Sequence, residues 1–400
     1  MPHQASDRNA TSLEHSRQSR SLIRGHRYVG IAAVPIPPLQ DDQFLLSIEW
    51  AGVCGTDLQI MKGLRVERAR VLGHEGCARV NKIGSSLTDH LSFGERVIVN
   101  PTCYGRPELL LGHNIDGLMQ TDVVLPGSLV EEGMVLPLPR DFPGVLSTLI
   151  EPLATALYAL EICRGTAGNV VVFGAGIVGH LLALELLRRT PLTQVTLVHR
   201  DVTSILSSPI LAIPEIKHVL VSEIVCDQAA FANTYFERAF VTTPRTATIG
   251  AVDTLIPLMV AGGGIHLIAG LSPHDRSLWC QNVDLSEVRG QNWAGLPWPP
   301  QRHVVHVKHP TRQTNVPIML SGHRGVSTEY LKRAIDVLRG DPQRFALTIT
   351  HRMDIDKAAH CLTHYLQTGQ RHADGARFLK IAIRFGSKNE GEQYVDPSTP

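Results

Sequence analysis

The sequence predicts an α/β protein of two domains, an irregular β-rich domain into which a doubly wound parallel sheet is inserted. Three observations predict it. The 400 residues exceed one ordinary domain and suffice for two sizeable cores. Segments rich in Val and Ile, separated by turn residues, run from Leu22 to Pro126 and read as short strands. From Asn169 a β-branched run, a glycine turn and an apolar helix follow one another, after which strand and helix patterns alternate.

Taken in order, residues 1–21 are polar, with no apolar central region, so they are expected to be a disordered tail and not a secretory signal. Strands are expected at Gln43–Ala51, Cys77–Ile83 and Arg96–Asn100, and a helical pattern from Val145 through Leu160 leads into the second domain. Val195–Val198, Arg238–Val241 and Gly264–Ala269 read as later strands of the parallel sheet. After about Asn315 the chain is expected to rejoin the first domain, with strands at Arg344–Ile349 and Phe378–Arg384 flanking a helix around Ile355–Gln367. The domains are therefore expected at 22–155 with 315–400, and at 156–314, with the functional site in the cleft between them.

Composition narrows the class of partner. Lys and Arg number 38 against 37 Asp and Glu, a formal charge of +1, which argues against a nucleic-acid surface or a polybasic membrane anchor. No apolar stretch is expected to reach the length of a membrane span. Seven scattered cysteines, Cys54, Cys77, Cys103, Cys163, Cys226, Cys280 and Cys361, suit a reducing compartment, and the cytoplasm is the expectation.

The glycine turn reads Gly174-Ala175-Gly176-Ile177-Val178-Gly179, after Val170-Val171-Val172-Phe173. In a dinucleotide-binding βα unit, Gly174 permits the tight turn, Gly176 lets backbone approach a pyrophosphate and Gly179 lets helix pack on strand. Ile177 and Val178 open the helix, whose N-terminal N–H groups face the phosphates. A second cluster, Cys54 in Gly52-Val53-Cys54-Gly55-Thr56-Asp57 and His74-Glu75 in Gly73-His74-Glu75-Gly76, offers a thiolate, an imidazole and a carboxylate. Zinc accepts all three donor types and in catalytic sites leaves one position open. Glu151, in Ile150-Glu151-Pro152, is a further, exchangeable oxygen ligand. Each element alone also has a plainer reading, Cys54 as a small buried hydrophobe and His74-Glu75 as surface residues.

Together these motifs resemble the zinc-dependent medium-chain dehydrogenase/reductase superfamily from about residue 22 to about 385. The resemblance rests on Gly-Val-Cys-Gly-Thr-Asp, Gly-His-Glu, Gly94-Glu95-Arg96-Val97, Asp116-Gly117, Glu151-Pro152 and the glycine turn, and it is nearest to the polyol and threonine dehydrogenase branch. It implies a GroES-like catalytic domain, a Rossmann domain, one catalytic zinc held by Cys54, His74, Glu75 and Glu151, and a homo-oligomer. It implies an oxidoreductase acting on a small alcohol or carbonyl substrate: a polyol, cyclitol, sugar or amino alcohol. Thr56, Glu75 and Glu151 take the catalytic positions, Thr56 as the hydroxyl that moves the substrate proton, and Asp57 braces the metal loop. Arg324 falls in a segment that returns to the cofactor cleft in the family, which implies a cofactor contact, while a lone Arg there reads equally as a surface residue.

The departures are as informative. Gln59 stands where many relatives carry His, which interrupts the usual proton path. Asn100–Glu108 holds the single Cys103 where relatives carry four cysteines, so no structural zinc is expected. About fifty residues separate Gly270 from Gly322, and the extra stretch near 276–310, with Trp279, Trp293 and Trp298, is expected to be a lid or an oligomer contact, or else a loop packed on its own domain. These departures keep open a non-catalytic homologue that serves as a cofactor-binding or scaffold protein.

NAD preference asks for an acidic residue about twenty positions beyond the glycine turn. Here the strand Val195–Val198 is followed by His199 and Arg200, which can pair with a 2′-phosphate, and NADP(H) is expected over NAD(H). The competing reading makes Asp201 the ribose ligand after a short insertion.

Overall fold

Alternating apolar residues between Leu22 and Pro126 do pair into sheets, as their period requires. The computed structural model describes residues 17–163, 168–189, 194–226, 235–268, 270–293, 303–310 and 315–386. A hairpin of β1 (Gln18–Gly25) and β2 (Tyr28–Pro35) opens it. Residues 18–21 are therefore strand and not part of a disordered tail: Ser19 and Ser21 are buried and bond the Gln120 side chain. A seven-stranded sheet follows, built from β3 (Gln43–Gly52), β4 (Glu75–Ile83), β5 (Arg96–Val99), β6 (Asp122–Pro126) and β7 (Val135–Pro137), with β16 and β19 joining from the C-terminal part. β3 lies inside this sheet, with Phe44, Leu46 and Ile48 buried.

The parallel sheet runs in the order β10-β9-β8-β11-β12-β15-β13. Its strands are β8 (Asn169–Phe173), β9 (Gln194–His199), β10 (Ile216–Leu220), β11 (Phe236–Val241), β12 (Met259–Leu267), β13 (Asn292–Trp293) and β15 (Ile318–Arg324), and β14 (Val305–Val307) pairs antiparallel with β15. The first six positions form the doubly wound dinucleotide-binding order, which reverses at β8. Val170, Val171 and Val172 are all fully buried, as expected of a strand covered by helices on both faces.

Three expectations need correcting. The chain does not leave this sheet at 315, because β15 pairs parallel with β12 through Gly264–Met319 to Leu267–Gly322. Arg344–Ile349 is not a strand: Asp341 accepts from the Arg344 N–H, Pro342 opens the helix Pro342–Ala346, and extended structure begins only at β16 (His351–Asp354). The 19-residue helical run Gly144–Ile162 is also apolar enough to span a membrane, contrary to the composition reading. Its apolar residues Leu153, Leu157 and Leu160 are instead buried in the protein core.

The described part of the insertion packs on its own domain. Trp279 donates its indole N–H to the Asp253 carbonyl at 2.8 Å, and Asn292 bonds Gly322 O at 2.8 Å and His303 at 2.9 Å. β13 and β14 both extend the edge at β15. Trp298 lies outside the described residues. After the helix Thr328–Gly340 the chain closes through the helix Ile355–Thr368, the hairpin of β17 (His372–Ala373) and β18 (Ala376–Arg377), and β19 (Ile381–Arg384) beside β3.

Candidate active site

Cys54 caps the helix Gly55–Met61. Its Sγ accepts from the Thr56 N–H at 3.4 Å, while the Asp57 carboxylate accepts from the Cys54 N–H at 2.9 Å. This reciprocal cap holds the sulfur in place. His74 and Glu75 arrive at the start of β4 after Gly73, whose φ of 97° and close approach to Met119 admit only glycine. Sγ of Cys54, a ring nitrogen of His74 and a carboxylate oxygen of Glu75 lie within 4.8 Å of one another.

The electrostatics fit a cation there. Asp57 Oδ1, His74 Nδ1 and Glu75 Oε1 are buried without a hydrogen-bond partner. Burial pushes the Cys54 thiol up, and the Glu75 charge adds to it; burial likewise raises Asp57. A set of soft sulfur, imidazole and carboxylate donors that is costly when empty suits a zinc ion, which would hold the thiolate deprotonated.

Two acidic residues divide their roles differently from the sequence expectation. Lys380, immediately before β19, donates to Glu75 Oε2, with both side chains fully buried, and Lys380 Nζ also reaches Val53 O at 3.4 Å. Sequence reading missed Lys380, since only a charge between apolar neighbours, Leu379-Lys380-Ile381, signalled it. Glu151, in the first turn of Ile150–Ile162, stands outside the Cys54-His74-Glu75 trio but within its field. Burial, and then the Glu75 charge, push its carboxyl up to about 7. Thr56 and Gln59 are half-buried on the helix beside Cys54. His113, also missed, stacks on His74 with ring centroids 5.2 Å apart.

At the glycine turn, the tight turn at Gly174 and the close helix–strand packing at Gly179 are present. Gly174 has φ of 123°, and a Cβ on Gly179 would lie 2.1 Å from Gly174 O. A Cβ on Gly176 would meet nothing within 4 Å, so the backbone presents an open cradle at the N-terminus of Ile177–Arg189. This is the space a pyrophosphate needs.

The end of β9 corrects the expectation for His199. Its side chain is fully buried, with Nε2 bonded to His218 Nδ1 at 2.8 Å and its ring edge toward His180, and burial pushes it down to about 3. A neutral ring turned into the core cannot pair with a phosphate. Asp201 is occupied too: it caps the helix Val202–Leu206 through the Ser204 N–H at 2.7 Å and pairs with Arg200 at 2.9 Å and Arg377 at 3.3 Å. Arg200 remains exposed at this edge, joined by Arg377 from β18, which sequence reading did not select. Arg324, at the end of β15, stacks 3.9 Å over the Trp293 ring.

The alcohol dehydrogenase GroES-like domain model matches residues 40–139. Among curated proteins, an uncharacterized zinc-type alcohol dehydrogenase-like protein of Haemophilus influenzae is 34% identical over 173 residues, 39% of this chain and 49% of that protein. The sorbitol dehydrogenase of Bombyx mori is 27% identical over 41% of this chain and 52% of its own. The L-threonine 3-dehydrogenase of Rhizobium rhizogenes is 28% identical over 42% and 53%. The chain thus spans about half the length of the curated relatives it matches. Two solved structures share the fold over nearly the whole chain. The 2R,3R-butanediol dehydrogenase of Bacillus subtilis has TM-score 0.67 at 18% identity, covering 92% of this chain and 99% of that one. Galactitol-1-phosphate dehydrogenase of Escherichia coli has TM-score 0.67 at 17% identity, covering 91% and 99%.

Proposed function

We propose that the chain, whose residues 40–139 match the alcohol dehydrogenase GroES-like domain, is a zinc-dependent medium-chain dehydrogenase/reductase that transfers hydride between NADP(H) and the hydroxyl-bearing carbon of a polyol, cyclitol, sugar or amino alcohol. The observation that carries this reading is the trio of half-buried Cys54 with buried His74 and Glu75, whose Nδ1 and Oε1 have no hydrogen-bond partner. The open Gly176 cradle supports a dinucleotide as the second reactant.

Cys54 and His74 would hold the zinc, with Glu75 or Glu151 as the oxygen donor. When bound, zinc supplies Lewis acidity to the substrate oxygen, and the nicotinamide supplies or accepts the hydride. Lys380 holds one oxygen of Glu75 and leaves Oε1 toward the pocket, so Glu75 is tethered while Glu151 is the freer carboxylate. Thr56 would take the hydroxyl proton, and Gln59 can orient water beside it without ionising. Arg200 and Arg377 supply positive charge for a 2′-phosphate, and Asp201 serves as a helix cap. A subunit that works within a homo-oligomer in the cytoplasm completes the proposal.

The experiment is elemental analysis of the purified chain together with NADP⁺ reduction against polyols, cyclitols and amino alcohols, and carbonyl reduction by NADPH. Zinc at one per chain with turnover of one of these classes is expected. A chain without zinc that gains no turnover on adding it would favour a non-catalytic scaffold.

A further inference from the structure

Three arginines meet at the C-terminal ends of β11, β12 and β15, and none of them forms an ion pair among the described residues. Arg245 opens the helix Arg245–Leu255, Arg289 closes Leu285–Gly290 and Arg324 ends β15. Two close approaches hold them there: a Cβ on Gly322 would lie 2.7 Å from Arg289 Cα, and one on Gly270 would lie 3.5 Å from Arg245 Cβ. Arg289 donates its Nε–H to Ile268 O at 3.2 Å, which leaves the rest of its fork for another acceptor.

Among the described residues, the charges that bear on Arg289 are those of Arg324, Arg65 and Arg245, all positive. Burial and these neighbours push its guanidinium down to about 10. Arg65 alone is balanced, by Glu67 at 2.6 Å. Beside Arg324, the Trp293 indole N–H is buried without an acceptor. Gathered like charges and an unsatisfied donor cost free energy unless an anion joins them, and guanidinium forks match phosphate and carboxylate oxygens.

The cluster is joined to the candidate metal pocket through side chains. Arg65 pairs with Glu67, Glu67 lies 3.3 Å from His113, and His113 stacks on His74. Its Arg324 end stands apart from the glycine cradle, whereas Arg245 follows β11, the direct neighbour of β8. The glycine cradle follows β8, which β11 and β12 separate from β15; at about 4.8 Å per strand β15 is roughly 14 Å away. The Arg200–Arg377 edge, at β9, lies farther still on the other side of β8.

We infer that Arg245, Arg289 and Arg324 bind an anionic group, a phosphate ester or carboxylate, on the substrate whose hydroxyl reaches Cys54, His74 and Glu75. The inference rests on the dehydrogenase reading for the identity of the ligand as substrate.

The test titrates the full chain with inorganic phosphate by calorimetry, alone and with saturating NADP⁺, and then compares turnover of polyols with and without a phosphate ester. Phosphate should bind in both conditions, and Arg289→Gln should weaken it about tenfold or more, the loss of one charge-assisted bond. Arg324→Gln, at an exposed position, should do the same if Arg289→Gln does not fold. Phosphorylated polyols should exceed their parents about tenfold or more in kcat/KM, and the advantage should collapse in Arg324→Gln. Absence of phosphate binding, or equal turnover of charged and uncharged polyols, would overturn the inference. So would displacement of phosphate by NADP⁺ with loss of NADP⁺ affinity in Arg289→Gln, which would give the cluster to the cofactor. Phosphate binding beside NADP⁺ that depends on Arg289, without turnover of any alcohol, would sustain the anion site and sink the hydride-transfer reading instead.

Discussion

Lys380 and Glu75 form a fully buried ion pair between side chains 305 positions apart in the sequence. The pair joins the residue before β19 to the start of β4, behind the candidate metal pocket. A Cβ on Gly52 would lie 2.7 Å from Lys380 Nζ, so glycine at that position makes room for it.

Removing one partner of such a pair leaves an uncompensated buried charge, at a cost of about 3–5 kcal/mol. Lys380→Met should therefore lose about that much stability in urea denaturation with a chelator present, and added zinc should narrow the gap by giving Glu75 another cation. A midpoint unchanged in chelator would show that the pair does not bear on stability.

Cys54→Ser should lower the zinc content toward zero by elemental analysis. In the unaltered chain, zinc held at about a thousand times its Kd stabilises the fold by about 4 kcal/mol. A chelator should consequently lower the melting temperature of the unaltered chain and leave that of Cys54→Ser in place. Retention of full zinc by the variant would remove the sulfur from the ligand set.

The glycine turn yields opposite outcomes at two positions. Gly179→Ala drives a Cβ to 2.1 Å from Gly174 O and should destabilise the fold, whereas Gly176→Ala enters open space and should preserve it. Calorimetric NADP⁺ binding should nonetheless be lost, or weakened about a hundredfold, in Gly176→Ala, because its methyl occupies the cradle. Unaltered nucleotide affinity in that variant would move the pyrophosphate elsewhere.

The proposed preference for NADP(H) rests on Arg200 and Arg377. A charge-assisted bond contributes about 1.5–3 kcal/mol, so Arg200→Ser or Arg377→Ser should weaken NADP⁺ binding about tenfold to a hundredfold and leave NAD⁺ binding nearly unchanged. Tighter binding of NAD⁺ than of NADP⁺ by the unaltered chain would contradict the assignment.

Acid stability follows from buried histidines. His180 is pushed down to about 4 and His199 to about 3, chiefly by burial, with the His218 charge opposing protonation of both. Arg377 acts on both in the same direction, and Ser208 accepts or donates at His180 Nε2. Their folded pKa values lie below the ordinary value near 6.5, so the unfolded chain takes up protons that the folded chain refuses. Their contribution is full above about pH 6.5 and is lost as pH falls toward 4. Glu151, raised to about 7, acts with the opposite sign, so the comparison must be with a variant. The urea-derived stability of His180→Leu should fall less between pH 7 and pH 5 than that of the unaltered chain; an equal fall would exclude the histidine from acid unfolding.

By itself, the sequence determined what short-range chemistry can encode. The roles of Gly174, Gly176 and Gly179 follow from local backbone demands, and Cys54, His74 and Glu75 stand close enough in the chain to be read as one donor set. Periodicity placed Gln43–Gly52, Glu75–Ile83 and Ile355–Thr368 nearly at their observed bounds. Tertiary structure alone decided the partners that depend on distant segments meeting. Lys380 reaches Glu75, Arg377 reaches Asp201, and His199 turns into the core toward His218, none of which a local pattern records. β15 joins the parallel sheet for the same reason, because strand pairing is chosen by the neighbour available and not by the strand's own residues. The three arginines at the cleft are separated by 44 and 35 positions in the chain, and only the folding of β12 and β15 side by side turns them into one site.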